Sequence, residues 1–315
     1  AVTRRLGRWY SLHVSGMDQT SSDRVAFIAA VLLLLAITVW SYWPTVAGLV
    51  RAWQYSDDYS ACLVVPFVAA FLVWRERRTI GQCKLAPAWR GGITLLLLAE
   101  VAGIYLFLAG GHPSLERYLV VIVIAGFVLL IGGWQVFRRV FWILLFLFLM
   151  VPLPARVHSL ISPPLQGIAT TGSVFLLEAF GTSVSRQGNI VMLNGDTPLG
   201  VAEACSGLRM LVAFVIAAAF IAYMVKRPRW QKAILLVSSI PVAVACNVIR
   251  IFITAMLMLH VSSEAAQRFF HDIGGFVMIG IAVSLLFGEI RLMDRLILSA
   301  QPSAHGHPEV ARSQA

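Results

Sequence analysis

Three side chains with chemical functions stand in or beside the long hydrophobic runs of this sequence: Cys205, Arg250 and His271. A thiolate is a nucleophile, a guanidinium stabilises developing negative charge, and an imidazole transfers protons near neutral pH. These are the functional groups of a cysteine protease or transpeptidase. The hypothesis requires a fold that brings three residues far apart in sequence to one place.

The composition is that of a membrane protein. Of the 315 residues, 59% are hydrophobic and 13% are charged, and the mean hydropathy is +0.81. A soluble domain of this length has no interior large enough for so much apolar surface. The net charge of +10 comes from short basic clusters between hydrophobic runs, which is typical of topology signals. We therefore expect contact with membrane lipids and no nucleic-acid partner.

Hydrophobic runs of about 20 residues, the length that crosses a bilayer, predict an all-α polytopic integral membrane protein with about eight transmembrane helices. The predicted spans are 25–43, 59–74, 91–110, 117–133, 138–153, 204–225, 232–259 and 272–290. We divide the chain into a polar N-terminal segment 1–24, a transmembrane domain 25–298 and a tail 299–315 that is predicted to be disordered.

The distribution of Lys and Arg predicts the orientation of these spans. Eighteen basic residues fall in the termini and in alternate loops on one side, against five in the loops on the other side. Because basic loops stay in the cytoplasm, both termini are predicted to be cytoplasmic. Cys205 and His271 then lie at the outer ends of their spans, and Arg250 lies in the outer half of the seventh. All three are expected at the outer face of the membrane.

The largest outer segment, 154–203, is predicted to contain regular structure. Residues 165–180 have the pattern of an amphipathic helix that lies in the membrane interface. Strand-like runs follow, and the pair Asn194-Gly195 predicts a small β-hairpin. Its edge is suited to binding an extended peptide, and a structured loop without a ligand is an equally open interpretation.

The four cysteines differ in their surroundings. Cys62, Cys83, Cys205 and Cys246 show no CxxC spacing and no zinc-binding set, so we predict no metal and no cofactor. Cys205 is expected at a helix N-terminus facing water, where the helix dipole favours the thiolate. Cys246 lies one helical turn from Arg250 but deeper in the apolar run, and we interpret it as a packing residue.

Arg250 is a charged residue within a predicted span, where a charge is costly and a functional role is the default interpretation. Its predicted role is to stabilise an oxyanion or to keep Cys205 ionised. Asn247, three residues earlier on the same helix face, is predicted to hold Arg250 by a hydrogen bond. The alternative is that Arg250 reaches lipid headgroups or pairs with an acid such as Glu203 or Asp272.

His271 and Arg209 complete the candidate site. His271 is suited to general acid–base catalysis. A single interfacial histidine is also compatible with a structural role. Whether His271 or Asp272 transfers the proton stays open. Arg209 is one turn after Cys205 and is predicted to bind a carboxylate or to pair with Glu203.

At these residues the chain resembles the exosortase family. These proteins are relatives of the archaeosortases, and they are sorting transpeptidases of the PEP-CTERM type. The resemblance rests on five stretches: Val151-Pro-Leu-Pro154, Gly188-Asn-Ile190, Glu203-Ala-Cys-Ser-Gly-Leu-Arg209, Asn247-Val-Ile-Arg250 and Phe270-His271 before a Gly-Gly pair. It implies a Cys/Arg/His triad, carried here by Cys205, Arg250 and His271.

The resemblance implies a sorting enzyme of Gram-negative inner membranes, often in bacteria that make exopolysaccharide. Its substrates would be proteins with a C-terminal signal of three parts: a short Pro-containing motif, a hydrophobic helix and a basic cluster. Cys205 would form a thioester with the substrate, and His271 would protonate the leaving amine and then activate the acceptor. The acceptor stays open between a lipid, a polysaccharide and water.

Two alternatives from other classes are kept. A transporter or flippase with Arg250 in its path predicts broken or inverted-repeat helices, which the sequence does not show. A non-catalytic scaffold for exopolysaccharide export predicts that Cys205 does not react with thiol reagents.

Overall fold

The structure is a computed structural model that describes residues 21–84, 86–110, 113–195, 197–200, 207–260 and 274–300. It contains two compact units, Ala1–Gly48 and Leu49–Ala315. The boundary falls within the first helix, and the second unit holds every described candidate residue.

Helices make up most of both units, as the sequence predicts. They are α1 (Ser21–Tyr55), α2 (Val64–Gly81), α3 (Trp89–Leu108), α4 (Pro113–Leu147), α5 (Ala155–Ala179), α6 (Leu208–Met224), α7 (Arg229–His260) and α8 (Gly274–Ala300). Short 3-10 helices, Asp57–Leu63 and Phe148–Met150, precede α2 and follow α4. Three strands, β1 (Val184–Gln187), β2 (Ile190–Leu193) and β3 (Thr197–Gly200), lie between α5 and α6.

The α4 helix is a helical hairpin. Gly133, within α4, has φ +76° and ψ −175°, which is not helical. The rings of Tyr118 and Phe148 stack with their centroids 6.2 Å apart. In a straight helix these residues would be separated by about 45 Å. The chain therefore reverses at Gly133, and the two arms correspond to the predicted spans 117–133 and 138–153.

Gly133→Ala is expected to lower the free energy of unfolding by about 3 kcal/mol, because a side chain is strained at this positive φ. An added Cβ would also lie 1.9 Å from the carbonyl oxygen of Ala86. Gly167→Ala is the matched control, since a Cβ at that helical glycine meets nothing within 4 Å. Thermal unfolding in detergent measures both. Equal melting temperatures for the two variants would contradict the hairpin turn.

One end of the second unit collects the basic clusters, and we call it the basic end. Arg139, just past the hairpin turn, pairs with Glu76 of α2 at 3.3 Å. Arg75 donates to the sulfur of Met224, the last residue of α6. Arg227, between α6 and α7, binds Asp294 of α8. Basic clusters separated in the sequence therefore lie on one side, as the charge pattern predicts.

Six helices among the described residues are long and apolar enough to cross a membrane. They are Ile28–Tyr55, Asp57–Gly81, Trp89–Leu108, Pro113–Met150, Ala155–Ala179 and Arg229–Leu259. The α6 helix is apolar but shorter, with 17 residues. The fold is thus that of an all-α polytopic membrane protein, and the fourth of these segments supplies two spans.

Two predicted boundaries differ from the structure. The predicted span 25–43 continues to Tyr55 with Pro44 inside the helix, because a proline costs a transmembrane helix only a locally lost hydrogen bond. The predicted helix 165–180 begins ten residues earlier, at Ala155, and contains Pro163 and Pro164. In both places proline does not end the helix.

The three strands form an antiparallel sheet in the order β1-β2-β3. Gln187 faces Ile190 across a two-residue turn that contains Gly188, and Leu193 faces Thr197 across a turn that begins at Asn194. Asn194 and Gly195 both have positive φ, as the Asn-Gly pair predicts. The buried face of the sheet packs against α5 and the second half of α7.

Candidate functional site

The structure describes three of the predicted site residues: Arg209, Asn247 and Arg250. Cys205, Glu203, His271 and Asp272 lie outside the described residues. The α6 helix begins at Leu208 and not at 204 as predicted, so its first turn starts three residues after Cys205.

Gly207 is the residue on which α5, α6 and α7 converge. It has φ +68°, and a Cβ added to it would lie 3.2 Å from Nδ2 of Asn247 and 3.6 Å from Cβ of Leu165. Glycine is therefore needed both for the backbone turn and for this close approach. We call Leu165, Gly207 and Asn247 the Gly207 junction. It lies two residues from Cys205.

The side-chain amide of Asn247 points towards Gly207 and forms no hydrogen bond with the described residues. Its side chain is 2% exposed, and within the described part of the chain neither Nδ2 nor Oδ1 has a hydrogen-bond partner. The predicted hydrogen bond to Arg250 is not formed, so that expectation is wrong. The amide is turned instead towards Gly207. A buried amide without a partner costs about 1–3 kcal/mol, and such a group calls for a functional explanation.

Arg250 lies one turn further along the same face of α7 and is 6% exposed. Its carbonyl oxygen accepts a hydrogen bond from Oγ1 of Thr254 at 2.8 Å. Ile251, the next residue, is part of the core beneath the β-sheet, which fixes this part of α7 in place. A buried amide that faces Gly207 and, one turn further along α7, a buried cation therefore share one helix face.

The start of α6 adds further donors. Gly207 has no side chain to cap the helix, and the first-turn amides of any helix have no acceptor within it. The helix dipole also favours negative charge at this end. The start of α6 and the Asn247 amide that faces Gly207 are therefore suited chemically to an anion.

Arg209 forms an ion pair with Asp57, a partner that the sequence alone does not identify. Its Nη2 lies 2.5 Å from Oδ1 of Asp57, the first residue of a 3-10 helix. The sequence predicts that Arg209 binds a carboxylate or pairs with Glu203; Asp57 supplies a carboxylate, and Glu203 lies outside the described residues. The ion pair attaches the 3-10 helix Asp57–Leu63 to the first turn of α6.

Asp58, which follows Asp57 in the chain, pairs with a histidine. Nε2 of His158, in the first turn of α5, is 3.1 Å from Oδ2 of Asp58. The ring of Tyr59 packs near the imidazole, with centroids 6.3 Å apart. One feature of the sequence is consistent with this pair: the charge pattern places the loop before residue 59 and the segment 154–203 on the same side of the membrane.

Two of the three described cysteines are packing residues. Cys62 and Cys246 are 1% and 2% exposed. Cys246 belongs to a core cluster with Met210, Phe214 and Ala243, which confirms its interpretation as a packing residue. Cys83 is partly exposed at the basic end, near Lys84. None of these three thiols lies at the Gly207 junction.

Comparison with known proteins gives one result. A family model described as transmembrane exosortase matches residues 53–288, about three quarters of the chain. The match includes the Gly207 junction, Arg250 and the Asp58–His158 pair. No curated protein and no solved structure matches the chain significantly.

Proposed function

The chain belongs to the transmembrane exosortase family, and from this we propose that it is a cysteine transpeptidase that cleaves a C-terminal sorting signal. One observation supports this most: the buried amide of Asn247 faces Gly207, two residues beyond Cys205, and buried Arg250 follows one turn further along the same face of α7. Donors directed at the place where charge develops are the main requirement for acyl transfer.

In the first half of the reaction the Cys205 thiolate attacks a backbone carbonyl of the substrate. The oxyanion forms beside Arg250, Nδ2 of Asn247 and the first-turn amides of α6, which stabilise it. When the tetrahedral intermediate collapses, the C–N bond breaks, His271 gives a proton to the leaving amine, and a thioester to Cys205 remains. Glu203, two residues before Cys205, and Asp272, next to His271, are the acids that would orient Arg250 and His271.

In the second half an acceptor attacks the thioester and releases Cys205 as a thiolate. A lipid or a polysaccharide hydroxyl would make the reaction a transfer, and water would make it a hydrolysis. The residues around the Gly207 junction serve both outcomes, because the same oxyanion forms in each.

The charge distribution supports an orientation in the bacterial inner membrane. Basic residues gather at the basic end, which we place in the cytoplasm together with both termini. Arg250 is ten residues before the C-terminus of α7, about 15 Å along the helix, so it lies in the half away from the basic end. A substrate whose own basic cluster stays in the cytoplasm would present its Pro-containing motif to Cys205 on the periplasmic side.

The test is a search for the thioester. Membranes that contain this chain and a protein ending in a Pro-containing motif, a hydrophobic helix and a basic cluster are treated with acid, and the chain is analysed by mass spectrometry. We expect a substrate fragment attached to Cys205, and no thioester in Cys205→Ala. Complete processing by Cys205→Ala would refute the proposal, and a Cys205 that is unreactive in the folded protein would favour a scaffold.

A further inference from the structure

We propose that His158, oriented by Asp58, is the base that removes the proton of the incoming acceptor in the second half of the reaction. This inference rests on the proposed function, because it needs a thioester at Cys205. The family resemblance implies that His271 makes both proton transfers. The structure offers a second imidazole, already paired with a carboxylate, for the second transfer.

The geometry of the pair is suited to a base. A carboxylate only accepts hydrogen bonds, so Nε2 of His158 carries the proton that it donates to Asp58 at 3.1 Å. The other ring nitrogen, Nδ1, then has a lone pair for a substrate proton. The His158 side chain is 36% exposed and that of Asp58 is 18% exposed. The carboxylate is thus the more covered partner, and the imidazole remains accessible to an acceptor.

The pair is attached to the segment that follows Cys205 from two directions. Asp57, next to Asp58, pairs with Arg209 in the first turn of α6. Leu165 lies against Gly207 and is seven residues after His158, which places both on the same face of α5 at an axial separation of about 10 Å. His158 therefore lies at the same end of the helices as Gly207, the residue two positions after Cys205.

Stability alone is a weak explanation for this arrangement. Ion pairs with this degree of exposure contribute about 0–1 kcal/mol. In the described part of the chain, the charged and titratable groups around His158 include Asp58, Tyr59 and, next to Asp58, the Asp57–Arg209 pair. Together they hold an imidazole between a carboxylate and an open side, the arrangement by which a carboxylate orients a catalytic histidine.

The proposed step is balanced. Nδ1 of His158 takes the proton from the acceptor O–H or N–H while that oxygen or nitrogen bonds to the thioester carbon. The C–S bond then breaks, and its electron pair leaves with Cys205 as a thiolate. His158 returns its proton to water.

The test separates the two halves of the reaction with p-nitrophenyl acetate, a substrate that has no sorting signal and acylates a thiolate directly. It uses the full chain in detergent with Cys83→Ser, because Cys83 is the partly exposed thiol among the described ones. The burst of p-nitrophenol reports acylation of Cys205, and the steady rate reports hydrolysis of the thioester. His158→Gln keeps a side-chain N–H for Asp58 but removes the base. Ser159→Ala, at an exposed neighbouring position, is the control.

We expect His158→Gln to keep the burst and to lower the steady rate by about 100-fold, within the usual range for loss of a general base. Hydroxylamine, a nucleophile that needs no base, is expected to restore release. An unchanged steady rate in His158→Gln, or a slow rate that hydroxylamine does not restore, overturns this inference. No burst in the parent protein overturns the proposed function instead.

Discussion

Arg250→Gln is expected to slow acylation of Cys205 by about 1,000-fold, the upper range for the loss of one oxyanion donor. Arg250 is 6% exposed, and water therefore cannot replace its charge when the oxyanion forms. Glutamine keeps a polar end but has no charge and is shorter. The burst rate with p-nitrophenyl acetate measures the effect directly.

Two further variants assign the loss to charge and position. Arg250→Lys keeps the charge without the planar guanidinium and should recover part of the rate. Arg186→Gln should have no effect on the burst, because Arg186 is exposed and binds Thr171 and the carbonyl of Gly188 on the outside of α5. Acylation by Arg250→Gln at the parent rate, in a protein that still unfolds cooperatively, would show that Arg250 is not an oxyanion donor.

The elements of this fold follow from local signals in the sequence. Hydrophobic length predicts the spans, and the pair Arg138-Arg139 between two apolar runs predicts the reversal that Gly133 makes. The Asn194-Gly195 turn is equally local. Each feature depends on residues within a few positions of one another, so no tertiary contact is needed to predict it.

The contacts of the candidate site depend on packing and were not predictable in this way. Asp57 and Arg209 are far apart in sequence, and so are Asp58 and His158. The spacing of Asn247 and Arg250 correctly places them on one helix face, but it does not determine where an amide points. Its direction is set by Gly207, whose missing side chain opens the space that Asn247 faces.

Asn247→Leu is expected to make the protein more stable and less active. The replacement is similar in size and removes a buried amide whose two polar atoms have no partner among the described residues, so the free energy of unfolding should rise by about 1–2 kcal/mol. The same change removes a donor at the Gly207 junction, and acylation of Cys205 should fall by about 100-fold. Thermal unfolding and the burst rate, measured on one preparation, give both results.

Asn189→Ala is the matched control for this pair of opposite effects. The Asn189 amide is bonded to Oε1 of Gln166 at 3.0 Å, so its removal should lower stability and leave acylation unchanged. If Asn247→Leu instead lost stability and activity together, Asn247 would be a structural residue and its amide would not belong to the oxyanion site. A gain in stability with a loss of acylation has a different cause: natural proteins retain unfavourable buried groups where function requires them. That result would place Asn247 beside Arg250 in the reaction of Cys205.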